Sequence, residues 1–325
     1  MTRKKDHEQH ELPGFQPVSA ALPEAARSIV KRPRRTMRVV QGAVTISEQG
    51  RPDVSYQHSI LCQCAMPLRD PGDAVRTWDR EQGRISLRIK AGEAKHPETG
   101  EWVDVGLPFG PKPRLILCYL NTQAILSKSP IIEVENSLSA FVERIGLDRH
   151  GRNMRTVKGQ LARLAAADFK FGTFTAEGRA RTVKATVVQG FELWFPKDDR
   201  QRVLWPTIVE LSAAYFASLQ EHAVPLNLEA LGSLKESALA LDLYAWLAQR
   251  LWRVHPKEAA FITWAALKDQ FGPDYARMAD FKRKFRQALR DVRAVYPDAR
   301  LDTDDSGMTL FHSPPPVRRR LIHAG

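Results

Sequence analysis

The segment Met278–Val295 divides its apolar and charged residues between opposite sides of a helix. At about 100° per residue, one side is lined by the apolar residues Phe281, Phe285, Leu289 and Val292. The other side and its flanks are cationic through Arg277, Lys282, Arg283, Lys284, Arg286, Arg290 and Arg293. A face of one charge sign repels itself unless an anion meets it, whereas a merely solvated helix normally mixes both signs. The pattern predicts a helix that packs on a core and lies in or along a DNA major groove, with an idle basic surface as the alternative.

A second helix with the same division is predicted near Asn153–Asp168. Its apolar side carries Met154, Val157, Leu161 and Leu164. Its other side and the preceding turn carry the cations Arg149, Arg152, Arg155, Lys158 and Arg163. They also carry residues able to hydrogen-bond base edges, namely Asn153, Thr156 and Gln160. Because the N-terminal part of a recognition helix usually reads the bases, Arg152, Asn153, Arg155 and Thr156 are the specificity candidates, and Arg163 is expected to contact phosphate.

Two strands after this helix, Phe169–Thr175 and Arg181–Gln189, predict a hairpin with Gly178 in its turn. The hairpin is basic through Arg179, Arg181 and Lys184. That charge suits contact with the DNA backbone or minor groove, although exposed hairpins are often charged without a partner. A later hairpin around Ser306-Gly307 carries Asp302, Asp304 and Asp305, so it is not expected to contact phosphate tightly.

The order of these segments predicts an α+β fold built from two tandem winged-helix domains. Each unit ends in helix, helix and hairpin; the first covers residues 76–200 and the second residues 201–313. Residues 1–75 contain many prolines and no sustained period, and we expect them to form a largely disordered basic tail. The cluster Lys31–Arg35 in that tail is either a DNA-binding arm or a solvated segment. Residues 314–325 form a second basic tail behind a run of prolines.

Charge and motif content exclude several classes of protein. The chain carries 49 Lys and Arg against 37 Asp and Glu, a net charge of +12, which favours polyanion partners and nucleic acid first. No apolar run approaches the roughly 18 residues of a membrane helix, and we expect no secretory signal. The 3 cysteines fit a reducing cytoplasm. Phosphate-loop, His-x-His and zinc spacings are absent from the sequence, so we expect no catalysis, no cofactor and no metal.

Three stretches of the chain resemble plasmid-encoded RepA-type replication initiators. They are residues 107–125, 137–166 and 209–299. The third is the most specific, because the turn Pro225-Leu226-Asn227, the helix sequence LDLYAWLA and FGPDY ahead of DFKRKFRQAL occur in the family's order. The resemblance implies a bacterial, plasmid-associated protein that binds repeated sequences (iterons) in double-stranded origin DNA through tandem winged helices. It also implies opening of the adjacent duplex, recruitment of host replication proteins such as the initiator and helicase, and a homodimer away from the origin.

Two other functions share parts of this pattern. A winged-helix transcriptional regulator of a plasmid operon would carry the same basic helices, so the helices do not separate it from an initiator. An adjacent iteron array, or loss of plasmid replication on gene deletion, would separate them. An origin-nicking enzyme would need a tyrosine nucleophile and a metal-binding histidine cluster, and neither is evident in the sequence.

Overall fold

A computed structural model describes residues 34–95, 99–134, 137–174, 180–190 and 208–317. Within these ranges the helices are α1 (Arg34–Glu48), α2 (Ser59–Gln63), α3 (Pro111–Ser127), α4 (Leu138–Arg144), α5 (Gly151–Ala166), α6 (Ala213–His222), α7 (Leu228–Leu234), α8 (Ala238–Arg250), α9 (Trp264–Phe271) and α10 (Met278–Val295). The strands are β1 (Val54–His58), β2 (Thr77–Gln82), β3 (Ile85–Lys90), β4 (Glu93–Lys95), β5 (Trp102–Asp104), β6 (Ile131–Glu133), β7 (Asp168–Phe174), β8 (Ala180–Thr186), β9 (Val188–Gly190), β10 (Ile208–Leu211), β11 (Ala223–Asn227), β12 (Ala260–Thr263), β13 (Leu301–Thr303) and β14 (Gly307–Leu310).

The largest described sheet has four antiparallel strands in the order β2–β3–β7–β8. Alternate residues of its two central strands enter the core, and Leu87, Ile89, Phe169 and Phe171 are at most 2% exposed. Leu87 is opposite Phe171 and Ile89 is opposite Phe169, so these side chains share one face of the sheet. The strand that the sequence predicts at Phe169–Thr175 is present as β7.

The order helix, strand, helix, helix, hairpin occurs twice along the chain. It runs α3–β6–α4–α5–β7–β8 in the first half and α8–β12–α9–α10–β13–β14 in the second. In the second half all three strands share one sheet, β12–β14–β13. In the first half β10 lies between β6 and β9, the strand that follows β8. The predicted mixture of helix and strand is confirmed.

Residues 34–75 do not form the disordered tail that the sequence predicted. Helix α1 packs against α7 and α10 and buries Val39 and Gly42. Strand β1 pairs antiparallel with β11, from Val54 opposite Asn227 to His58 opposite Ala223. Prolines at 52 and 67 lie between elements, where a missing N–H interrupts no ladder. The rest of the predicted N-terminal tail, residues 1–33, and residues 318–325 lie outside the described residues.

A continuous core crosses the boundary that the sequence placed after residue 200. Strands from either side of that position share sheets, because β10 pairs with β6 and β11 pairs with β1. Arg114 of α3 and Asp242 of α8 also form a buried, two-pronged ion pair, with N–O distances of 2.6 and 2.7 Å. The Arg114 guanidinium donates further hydrogen bonds to the backbone oxygens of Met66 and Gly110. A short strand offers backbone hydrogen bonds to any free edge, so its sequence does not reveal which distant strand it will join.

Candidate nucleic-acid interface

Helix α10 buries one face and exposes a cationic one, as its periodicity predicts. Phe281, Phe285 and Val292 are completely buried, and the Phe281 and Phe285 rings lie 5.4 Å apart. Burial of these rings anchors the helix through apolar area removed from water. The exposed cations are Arg277, Arg283, Lys284, Arg290 and Arg293, while Lys282 and Arg286 are half-buried.

Lys282 and Arg286 are held by the hairpin β13–β14 and by Trp264. Both cations lie over the Trp264 ring, 5.2 and 5.1 Å from its centre. The ammonium of Lys282 donates to the backbone oxygen of Asp305 at 3.0 Å. Arg286 lies 3.7 Å from the Asp305 carboxylate. These two predicted DNA contacts therefore already have partners within the protein.

The remaining cations of α10 have fewer contacts with other side chains of the protein. Arg283 pairs with Asp280 one turn away, at 3.1 Å. Within the part of the chain that the structure describes, no ion pair or side-chain hydrogen bond involves Arg277, Lys284, Arg290 or Arg293. Unpaired guanidinium and ammonium groups on one ridge are suited to phosphate oxygens, which accept charge-assisted hydrogen bonds.

Helix α5 exposes the first half of its predicted contact set. Arg149, Arg152, Arg155 and Thr156 are exposed and Asn153 is half-buried. Arg149 lies 3.4 Å from Glu143, across the turn from α4. The Asn153 amide donates to the backbone oxygen of Asp148 at 3.0 Å, and the Thr156 hydroxyl donates to that of Arg152 at 2.8 Å. These local bonds orient the N-terminal residues of the helix.

Gln160 is buried, which corrects its predicted DNA contact, whereas Arg163 is half-buried and its phosphate contact stays a prediction. Gln160 is 4% exposed, and its side-chain oxygen accepts the Phe109 backbone N–H at 2.9 Å. Arg163 donates to the backbone oxygen of Leu107 at 3.0 Å and lies 5.1 Å from the centre of the Phe109 ring. The second half of α5 thus holds the segment that leads into α3. A helical wheel could have revealed this for Gln160, which lies beside Leu164 at 3.6 residues per turn.

The basic hairpin is described only in part. Arg179 lies outside the described residues, whereas Arg181 and Lys184 are placed along the backbone of β8, opposite Thr173 and Lys170. Lys158 of α5 is half-buried. Of the predicted basic arm, residues 31–33 also lie outside the described residues, and Arg34 and Arg35 begin α1.

A row of charged side chains that the sequence analysis missed connects α5 with α10. Lys112, at the start of α3, lies near Arg152 of α5 and near Lys235 and Glu236, which separate α7 from α8. Burial lowers the pKa of Lys112, and the cations Arg152 and Lys235 act in the same direction, while Glu236 opposes them.

The same row continues through α1. Arg38 donates to Glu236 at 2.8 Å, and this hydrogen bond holds the pKa of the Glu236 carboxyl below its usual value. One turn earlier, Arg35 pairs with Asp291 of α10 at 2.6 Å. These residues come from segments far apart in sequence, so no local pattern could have grouped them.

The two basic helices have no side-chain cap at their N-termini, and neither has α3, which begins at Gly110. Six other described helices begin at a side chain that accepts a helix N–H, namely His58, Ser137, Ser212, Asn227, Ser237 and Thr263. Helices α5 and α10 begin at His150 and Arg277, and neither side chain caps its helix. Uncapped N–H groups beside cationic side chains suit a phosphate, which the helix dipole also favours.

The chain is similar to one protein-family model and to solved structures of one other protein. Residues 107–266 match a family model described as "Plasmid encoded RepA protein", which confirms the resemblance. One solved structure of domains 2 and 3 of RctB, a selenomethionine derivative, is 11% identical with a TM-score of 0.48, covering 71% of this chain and 83% of that chain. A second structure of RctB domains 2–3 is 10% identical with a TM-score of 0.49, covering 77% of this chain and 94% of that chain. No curated protein matches the sequence.

None of the helices in the described part of the chain is long and apolar enough to cross a membrane. Across the same residues, no three His, Cys, Asp or Glu side chains gather as a metal site.

Proposed function

We propose that this protein is a plasmid replication initiator that binds double-stranded origin DNA through α5 and α10, each the recognition helix of a winged helix. The cationic ridge of α10 carries the proposal, because Arg277, Lys284, Arg290 and Arg293 have no anionic partner in the described part of the chain. The family match over residues 107–266 supports the same class of function.

The row from Arg152 through Lys112, Arg38 and Arg35 supports contact of both helices with one duplex. It carries positive charge between the N-terminal end of α5 and the side of α10 that holds Asp291. Glu236 and Asp291 neutralise part of this charge through their ion pairs with Arg38 and Arg35, and Arg152 and Lys112 add positive charge beside them. DNA carries a phosphate charge about every 1.7 Å along its axis, so a surface with a surplus of cations suits a duplex that passes from one helix to the other. A long recognition site with strong salt dependence follows from such an arrangement.

Binding to the origin is the first test. Fluorescence anisotropy would compare origin fragments of the plasmid that encodes the protein with scrambled fragments of equal length, over a range of salt. We expect tighter binding to origin DNA. Replacing Arg290 and Arg293 by alanine should lower the salt slope by up to about two units, at roughly 0.9 per phosphate contact. A matched control is Arg250→Ala with Lys257→Ala, which removes the same charge from exposed positions outside α5 and α10.

Two results would contradict the proposal. Equal affinity for origin and scrambled DNA at moderate salt would remove the sequence specificity. An equal loss of slope in the Arg250 and Lys257 control would show that net charge, and not the ridge of α10, drives binding.

The remaining steps are binding to repeated sequences, opening of the adjacent duplex and recruitment of host replication proteins, all without bond cleavage by this chain. Supercoiled origin plasmid incubated with the protein and Mg²⁺ should stay supercoiled, and relaxed product would indicate a nicking enzyme. Deletion of the gene should abolish plasmid replication. Continued replication with altered operon expression would instead identify a transcriptional regulator.

A further inference from the structure

The tip of the hairpin β13–β14 is fixed against the cationic helix α10. The indole N–H of Trp264, which is 3% exposed, donates to the backbone oxygen of Asp304 at 2.9 Å. Lys282 donates to the backbone oxygen of Asp305 at 3.0 Å. Both bonds use backbone oxygens, so neither requires a carboxylate at position 304 or 305.

The two carboxylates at the tip have different surroundings. The Asp304 carboxylate closes the turn, because it accepts the backbone N–H groups of Ser306 at 2.7 Å and Gly307 at 2.8 Å. These bonds hold the pKa of the Asp304 carboxyl below its usual value. The Asp305 side chain is fully exposed, and its described contact is Arg286, 3.7 Å away. The fold thus uses the Asp304 carboxylate and leaves that of Asp305 to face α10.

The Asp305 carboxylate disfavours contact between Arg286 and a DNA phosphate, which is the kind of contact that binds DNA of any sequence. Non-specific affinity comes almost entirely from cations that meet phosphates, irrespective of sequence. Arg286 also donates to the backbone oxygen of Asp304 at 3.4 Å, so its guanidinium stays beside the tip. A phosphate that contacts Arg286 there meets the like charge of the Asp305 carboxylate, 3.7 Å from the guanidinium. Base contacts made by the rest of α10 can offset this repulsion on the correct sequence, whereas scrambled DNA supplies no such contacts.

We propose that Asp305 is a specificity-determining residue that weakens binding to non-cognate DNA by competing for Arg286. The inference rests on the proposed function, since it requires α10 to face a duplex. Asp305→Asn should tighten binding to scrambled DNA about threefold to tenfold and steepen its salt slope by up to about one unit. Affinity for origin DNA should rise less, so the ratio of the two affinities should fall.

The same hairpin supplies a matched control. Asp302 is exposed on β13, and no described contact joins it to Lys282 or Arg286. Asp302→Asn makes the same change in net charge a few residues away and should leave the affinity ratio unchanged. A further variant, Asp305→Asn in an Arg286→Ala background, should show no additional gain, because the group that Asp305 competes for is gone.

The measurement is anisotropy of the full chain on origin and scrambled duplexes, with thermal melting by circular dichroism to confirm that each variant is folded. An equal effect of Asp302→Asn and Asp305→Asn, or no effect of Asp305→Asn, would overturn the inference while leaving the proposed function intact. Absence of any preference for origin DNA in the unmodified protein would instead contradict the proposed function, and this inference with it.

Discussion

His58 is a buried, neutral histidine at the junction of β1, β7 and α6. Its ring is 0% exposed and stacks on Phe171 at 5.0 Å and on Tyr215 at 5.6 Å. Its Nδ1 atom accepts the backbone N–H of Ile60, and its Nε2 atom lies 3.0 Å from the Ser218 hydroxyl. An acceptor Nδ1 cannot carry a proton, so the hydrogen bonds select the neutral ring. Burial, followed by the neighbouring His222, lowers the pKa of His58 from 6.5 to about 3.

This lowered pKa predicts that acid destabilises the protein at pH values well above those at which carboxylates usually titrate. Between pH 6.5 and about 3 the unfolded chain binds a proton at His58 and the folded chain does not. The free energy of unfolding should therefore fall as the pH falls through this window, by up to about 1.4 kcal/mol per pH unit from this residue. Urea unfolding at pH 7.5 and pH 5 would measure the slope. His58→Gln should flatten it and His222→Gln should preserve most of it; a slope unchanged in His58→Gln would contradict the assignment.

At the scale of elements, the crossing of α1 over α7 depends on the missing side chain of Gly42. A Cβ atom at this position would lie 1.8 Å from the Ser233 hydroxyl oxygen and 2.9 Å from the Ser233 Cβ atom. A serine side chain is too short to swing away, so the two helices would have to separate. Gly42→Ala should lower the free energy of unfolding by about 1–3 kcal/mol, the usual cost of overpacking.

Gly232→Ala in α7 is the matched control for this crossing. Nothing lies within 4 Å of a Cβ atom built there, so alanine should stabilise the helix by up to about 1 kcal/mol. Chemical unfolding of both variants against the parent would give the comparison. A Gly42→Ala variant as stable as Gly232→Ala would show that α1 does not pack as described.

The elements that could be predicted from sequence are those whose pattern is local. Helix α10 has a complete apolar stripe and a separate cationic side, and the structure places both as expected. Strand β1 has no such signal, because its partner β11 lies far along the chain and only tertiary pairing fixes it. Arg163 fits a basic ridge in the sequence, yet its hydrogen bond to the backbone of Leu107 depends on a loop that periodicity does not place. The charged row through Lys112 and Arg38 was beyond prediction for the same reason.

At the scale of the whole molecule, the two halves are joined by more than a linker. The buried pair of Arg114 and Asp242 connects α3 with α8, and the β1–β11 ladder ties the N-terminal segment to the second half. Breaking a buried ion pair leaves an uncompensated charge, which costs about 3–5 kcal/mol, so the halves resist sliding past each other. Helices α5 and α10 therefore belong to one body, and the proposed duplex would meet both in a fixed arrangement.

Because the two halves form one body, variants of α5 and variants of α10 should affect different parts of the protected DNA. If both helices contact one duplex, hydroxyl-radical footprinting on origin DNA should show protection in two successive grooves, about 10 base pairs apart. Arg152→Ala with Arg155→Ala should remove protection at one end, and Arg290→Ala with Arg293→Ala should remove it at the other, because each pair is exposed on a different helix. Each pair should also lower the salt slope by up to about two units. If one double variant loses the whole footprint and the other keeps it unchanged, a single helix binds the DNA. The duplex would then not extend along the charged row from α5 to α10.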